Sequence, residues 1–300
     1  MTIEAFRTPD DRFQGLPGFP YAPRYLDDVP AGSGLRMAYL DEGPADAPIV
    51  LCLHGEPTWS FLYRKMIPVF LGAGHRVIAP DLLGFGRSDK PVNDADYSFD
   101  LHRESLLALV DALELRDVTL VVQDWGGLLG LTLPVSRPDL VGRLLVMNTG
   151  LGVGTSPGPG FLAWRDYMAS TPDLDVARLM KRAIAGLSDA DAAAYSAPFP
   201  GPEAKAGVRT FPGLVPITPD SPGVEVSRAA AAWWATEWDG PSFMAIGELD
   251  PVLGPVVMDR LRQIIRGCPE PLRLQEGHFV QESGDVVARA ALDAWGRLEK

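Results

Sequence analysis

Apolar residues along the chain fall into two patterns. Short, nearly uninterrupted runs such as Ile49 to Leu53 and Val118 to Val122 read as strands covered on both faces, and longer stretches with apolar positions every three or four residues read as helices. From Leu35 the pattern predicts a strand (LRMAYLDEG), a second strand (IVLCLHG), a helix from about Ser60 to Leu71, and a strand (HRVIAPDL). A helix from about Asp100 to Leu113, the strand VTLVVQD, a helix from Leu128 to Ser136 and the strand VGRLLVMN follow. Apolar strands alternating with amphipathic helices predict an α/β fold, with a mostly parallel central sheet and helices on both faces.

The alternation breaks after Gly150. Residues 151–223 are rich in Gly, Pro and Ala, carry amphipathic stretches (FLAWRDYMA, VARLMKRAI, DADAAAYSA), and offer no convincing strand. Alternation resumes with a helix near Arg228 to Trp238, the strand SFMAIG, a helix from about Pro255 to Ile265, a short strand near Leu272 and a closing helix from Val286 to Leu298. The expected organisation is a core of residues 1–150 and 224–300 interrupted by a helical cap, 151–223.

Composition narrows the partners. No apolar run approaches the roughly 18 residues of a membrane span, and the N-terminus MTIEAFRTPDDRF lacks the basic and apolar regions of a secretory signal, so the expectation is a soluble, cytoplasmic protein. The two cysteines, Cys52 and Cys268, show no metal or disulfide spacing and read as free thiols. A net charge of −12 disfavours nucleic acid and anionic lipid, whose non-specific binding depends on Lys and Arg.

The strand VTLVVQD runs straight into Trp125-Gly126-Gly127, small residues that open a helix. Such an elbow exposes its central side chain, Asp124, and sets the next backbone N–H, that of Trp125, at a helix N-terminus. Val122 stands where the elbow motif usually has glycine, and an isolated aspartate here reads more readily as a helix N-cap. Two residues later in the chain favour chemistry. Asp250 follows the strand SFMAIG, with Glu248 a weaker candidate, and His278 lies in a Gly-His loop after the last strand. Nucleophile, acid and histidine in that order are the arrangement of the α/β-hydrolase fold. The other histidines, His54, His75 and His102, lie in a turn, before a strand and at a helix start. His54-Gly55-Glu56-Pro57 follows the strand IVLCL, where that fold supplies a second oxyanion-hole amide, so the N–H of Glu56 is expected to join that of Trp125.

An aspartate nucleophile changes the reaction class. With a reference pKa of roughly 3.9 the carboxylate needs no base to attack an sp³ carbon. The product is an alkyl ester on Asp124, which water activated by His278 then hydrolyses while Asp250 orients the imidazole. The leaving group separates two activities, since an epoxide oxygen wants an acidic hydroxyl whereas a halide is held by N–H donors such as the indole of Trp125.

At this point VVQDWGG, HGEPTW, PDLLGFGRSDKP, GELDPVLG and GHFVQE together resemble the haloalkane dehalogenases, in the subfamily with Glu after His-Gly. The resemblance implies hydrolysis of a haloalkane to a primary alcohol, halide and a proton, with no metal or organic cofactor. It implies Asp124 as nucleophile, His278 as base, Asp250 as acid and Trp125 as the first halide-binding tryptophan. A second halide-binding tryptophan is expected from the cap. Ala183 stands where some relatives have tryptophan after Met-Lys-Arg, which leaves Trp164 for that role. Phe161, Phe199, Phe211 and Leu214 are candidate cap linings, whereas Trp233, Trp234, Trp238 and Trp295 read as packing residues. The expected partners are a small apolar halogenated substrate, water and halide, in a monomer or small homo-oligomer. Two alternatives stay open: an epoxide hydrolase with Tyr167 and Tyr195 as acids, and a non-catalytic binding protein on the same fold. A haloacid hydrolase would need an arginine near the elbow, and the sequence places none there.

Overall fold

The uninterrupted apolar runs form the middle of one sheet in the computed structural model, which describes residues 2–298. In chain order the strands are β1 (Ala5–Phe6), β2 (Arg24–Leu26), β3 (Met37–Glu42), β4 (Ile49–Leu53), β5 (Arg76–Pro80), β6 (Lys90–Pro91), β7 (Val118–Gln123), β8 (Val141–Met147), β9 (Ser242–Gly247) and β10 (Leu272–Leu274). The main sheet has the order β10-β9-β8-β7-β4-β5-β3-β2, and β1 pairs with β6 apart from it. Pairing is parallel from β10 to β5 and antiparallel from β5 through β3 to β2. All of β7 is buried, which is why its sequence shows no alternation.

Strand order reverses between β4 and β7: from β4 the sheet grows to β5 on one side, and from β7 to β8, β9 and β10 on the other. The crevice beyond the carboxyl ends of two such strands is where open α/β sheets bind ligands. Asp124 follows β7 and Glu56 follows β4, so both candidate groups stand at this point.

The helices are α1 (Ile67–Gly72), α2 (Phe99–Ala112), α3 (Trp125–Gly130), α4 (Pro159–Ser170), α5 (Val176–Ala183), α6 (Asp189–Ser196), α7 (Ala206–Leu214), α8 (Val224–Thr236), α9 (Pro255–Ile264) and α10 (Gly284–Leu298). Two differ from the sequence expectation. The stretch 60–71 splits into a 3-10 turn, Ser60–Tyr63, and α1, which starts beside Pro68, a residue without the N–H that continuing an earlier turn would require. The helix expected at 128–136 instead starts at Trp125 and ends at Gly130, and a 3-10 turn around Pro134 follows. Strand β2 and helix α7, which carries Pro212 in its interior, went unforeseen because neither shows a clear period.

Among the described residues, 151–223 hold α4 to α7 and no strand. Asp175 and Ser188 start α5 and α6 by accepting the backbone N–H groups of Arg178 and Asp191, each at 3.0 Å. One buried polar cluster ties α6 to the sheet side. Arg64 donates to both carboxylate oxygens of Glu282 at 2.8 and 2.9 Å and to the Tyr195 hydroxyl at 3.1 Å, and pairs with Asp191 at 3.2 Å. Trp234 and Trp238 pack as expected, their indole N–H groups donating to Leu131 O and Ser242 Oγ. No helix among the described residues is long and apolar enough to cross a membrane.

Candidate active site

At the end of β7 the chain turns through Asp124, whose φ of 50° and ψ of −125° lie where residues other than glycine are strained. Neighbours hold this conformation in place. The Asp124 N–H donates to Asn148 O at 3.0 Å, and its carbonyl accepts from Thr149 Oγ1 at 2.6 Å and from the N–H groups of Gly127 and Leu128. The adjoining glycines are dictated by space, because a Cβ on Gly126 would lie 1.9 Å from Leu53 O and one on Gly55 2.1 Å from Asp124 Oδ1. The Asp124 side chain makes no capping bond to α3, which disposes of the N-cap alternative. Instead, Oδ1 accepts the backbone N–H of Glu56 at 2.8 Å. The Trp125 N–H is the first of α3 and has no intrahelical acceptor.

His278 faces Asp124 across the crevice. Its Nε2 lies 3.5 Å from Asp124 Oδ2, and its Nδ1 lies 2.7 Å from Asp250 Oδ2. Asp250 is buried and further fixed by the Asn148 amide at 2.8 Å and by the N–H groups of Val252 and Leu253 at 2.8 and 3.1 Å. Burial works against the Asp250 carboxylate, but the charge of His278 and these donors hold its pKa well below the usual range. Burial also works against the His278 cation, yet the Asp250 charge and contact with Asp124 outweigh it and raise the imidazole above the ordinary histidine range. Glu248 lies outside this cluster and accepts from Gln275.

These groups open on a cavity of about 550 Å³ lined on one side by Glu56, Asp124, Trp125, Asp250 and His278 and on the other by Phe161, Trp164, Leu179, Arg182 and Ala183. Trp125 and Trp164 both line it, and no hydrogen bond to another described residue takes up either indole N–H. Phe161 is a lining residue as expected, but Phe199, Phe211 and Leu214 are not. Phe211 packs instead against Trp125, ring centroids 4.5 Å apart. No tyrosine lines the cavity: Tyr195 is buried against Arg64 and Glu282, and the Tyr167 hydroxyl lies near Arg182. Burial, then the nearby Asp124 charge, push the Glu56 carboxyl well above the usual range. Among the described residues no cluster of His, Cys, Asp or Glu is placed to hold a metal ion.

Several contributors were not legible in the sequence. Asn148 reads there as the end of a strand, and Gln123 as a residue before the elbow, although both touch the cluster. Arg182 and Arg260, which the sequence places far from the elbow, are brought to the cavity lining by α5 and α9.

A family model for the alpha/beta hydrolase fold matches residues 48–285. The chain is 42% identical to a haloalkane dehalogenase of Mycobacterium marinum over 98% of its own length and all of the relative's. It is 44% identical to one of Psychrobacter cryohalolentis, over 96% of each chain. The chain belongs to the haloalkane dehalogenases. Among solved structures it is similar to a tetrameric haloalkane dehalogenase of Paraglaciecola agarilytica, with a TM-score of 0.95 and 50% identity covering 97% of this chain and 98% of that one. A Bradyrhizobium elkani haloalkane dehalogenase aligns with a TM-score of 0.77 at 28% identity, covering 92% and 99%.

Proposed function

We propose that the protein hydrolyses small haloalkanes to a primary alcohol, halide and a proton by way of an ester on Asp124. A carboxylate oxygen of Asp124 displaces halide from the sp³ carbon, and the indole N–H groups of Trp125 and Trp164 take up the charge of the leaving halide in a mostly apolar cavity. Water then attacks the Asp124 carboxyl carbon as His278 Nε2 accepts its proton. The N–H groups of Glu56 and Trp125 stabilise the oxyanion, and Asp250 holds the imidazole with its proton on Nδ1.

The charges time the base. In the free enzyme His278 lies between two carboxylates, which favour its cation. Alkylation turns Asp124 into a neutral ester, removes one of those charges, and so lowers the imidazole pKa at the step that needs a free lone pair.

The observation that carries this reading is a cavity lined by Asp124, His278 and two tryptophans, Trp125 and Trp164, and by no tyrosine among the described residues. Epoxide opening ranks second because Tyr167 and Tyr195, its candidate acids, lie off the cavity wall. Within this reading residues 151–223 are the cap, two free thiols fit a reducing cytoplasm, and likeness to a tetrameric relative favours a small homo-oligomer.

The deciding experiment compares bromide release from a short bromoalkane by the wild type and by Asp124→Asn. Release by the wild type with a loss on the order of 10⁴-fold or more in the variant supports the reading. No release by the wild type, with turnover of a small epoxide, replaces it by epoxide hydrolysis.

A further inference from the structure

Ester hydrolysis needs His278 neutral with a free lone pair on Nε2, yet Asp124 and Asp250 both favour its cation. One group at the ring acts the other way. Gln123, the fully buried last residue of β7, sets its side-chain amide nitrogen 2.8 Å from His278 Nε2 and 3.2 Å from the backbone carbonyl oxygen of the same residue. An amide nitrogen only donates. The carbonyl contact decides which end of the amide faces the histidine, because the opposite orientation would set two oxygens against each other. The second N–H then faces Nε2, where only the lone pair of a neutral ring can accept it.

We infer that Gln123 is a positioning residue for the base: its amide favours the neutral, Nδ1-protonated form of His278 and so opposes the imidazolium favoured by the two aspartates. The inference rests on the two-step reading above. The charged or titratable groups facing the ring are Asp124 from the elbow, Asp250 from the loop after β9 and Glu56 from the loop after β4. No Arg or Lys among the described residues is hydrogen-bonded or ion-paired with it, so no cation does the same work. Packing alone does not explain the residue either. Among the described residues Gln123 Oε1 has no hydrogen-bond partner, a cost that an apolar residue of similar size would avoid. The amide keeps the lone pair until the hydrolytic water takes it over, and once that water has given its proton to Nε2, N–H faces N–H. That repulsion favours release of the proton to solvent before the next turnover.

Gln123→Leu removes both donors, and Gln123→Glu replaces them with an acceptor in nearly the same volume. The measurement is the bromide burst from a short bromoalkane together with the pH dependence of ester decay, followed by mass spectrometry in single turnover. The expected result is a burst that persists, since attack by Asp124 needs no base, and an acid limb of ester hydrolysis that moves up by about one pH unit in Gln123→Leu. Below both limbs that shift makes hydrolysis about tenfold slower, and Gln123→Glu shifts it further in the same direction. An unmoved acid limb in both folded variants overturns the inference, as does an equal loss of burst and hydrolysis, the mark of a purely structural residue. Absence of a burst or trapped ester in the wild type overturns the two-step reading itself, and is distinguished because it does not involve Gln123.

Discussion

The two walls of the cavity hold their groups by different means. On the sheet side Asp124, Glu56, Asp250 and His278 stand at or just beyond strand ends, and backbone and side-chain hydrogen bonds of 2.6 to 3.1 Å fix the two aspartates. On the helical side Phe161, Trp164 and Leu179 reach the cavity from α4 and α5, and packing alone places them. Reacting atoms must be held to a fraction of an ångström, which strand ends in a paired sheet provide. The helical wall carries none of the proposed reacting atoms, so replacing a side chain there is expected to leave those atoms in place. The polar cluster at Arg64 is a junction that ties the helical segment, through α6, to the sheet side.

That contrast can be broken, and the largest effect belongs to the sheet side. His278→Ala is expected to give one equivalent of bromide and then stall, with turnover reduced on the order of 10⁴-fold and the alkyl group retained on Asp124. Mass spectrometry of the intact protein checks it, and steady turnover without a trapped ester would end the division of labour between Asp124 and His278. Next comes the junction. Arg64→Met leaves the buried Glu282 carboxylate with only Lys65 and the Tyr195 hydroxyl, and is expected to lower unfolding stability by about 3 kcal/mol. Urea denaturation measures this, and a bromide burst that survives would show that the walls are separable. The smallest effect lies on the helical side. Trp164→Phe keeps an aromatic ring but removes an N–H, so bromide affinity is expected to fall about fivefold to tenfold, the worth of about one hydrogen bond. Unchanged product inhibition by bromide would assign Trp164 to packing.

The strands legible in the sequence are those whose both faces are buried, such as β4 and β7, because an uninterrupted apolar run is a local signal. The helix at 60–71 misled because its apolar spacing is compatible with a 3-10 turn followed by a short helix, and hydrophobic period alone does not separate them. Asp124, Glu56, Asp250 and His278 were legible from their place after strands and their order in the chain. Gln123 was not, since nothing in its place within β7 marks its side chain as turned toward His278. Nor was the exclusion of Tyr167 and Tyr195 from the cavity, which depends on how α4 and α6 turn their faces.

The chain by itself determines the order of the buried strands and the helices between them, and it sets an aspartate at the elbow, because residue type and local period carry those. Only the tertiary structure decides which side chains meet: Asn148 with Asp250, the Gln123 amide with His278, Arg182 with the cavity, and Tyr195 with Arg64 rather than with the cavity. Such meetings depend on distances between segments far apart in sequence, set by sheet order and helix packing, and no local pattern encodes them.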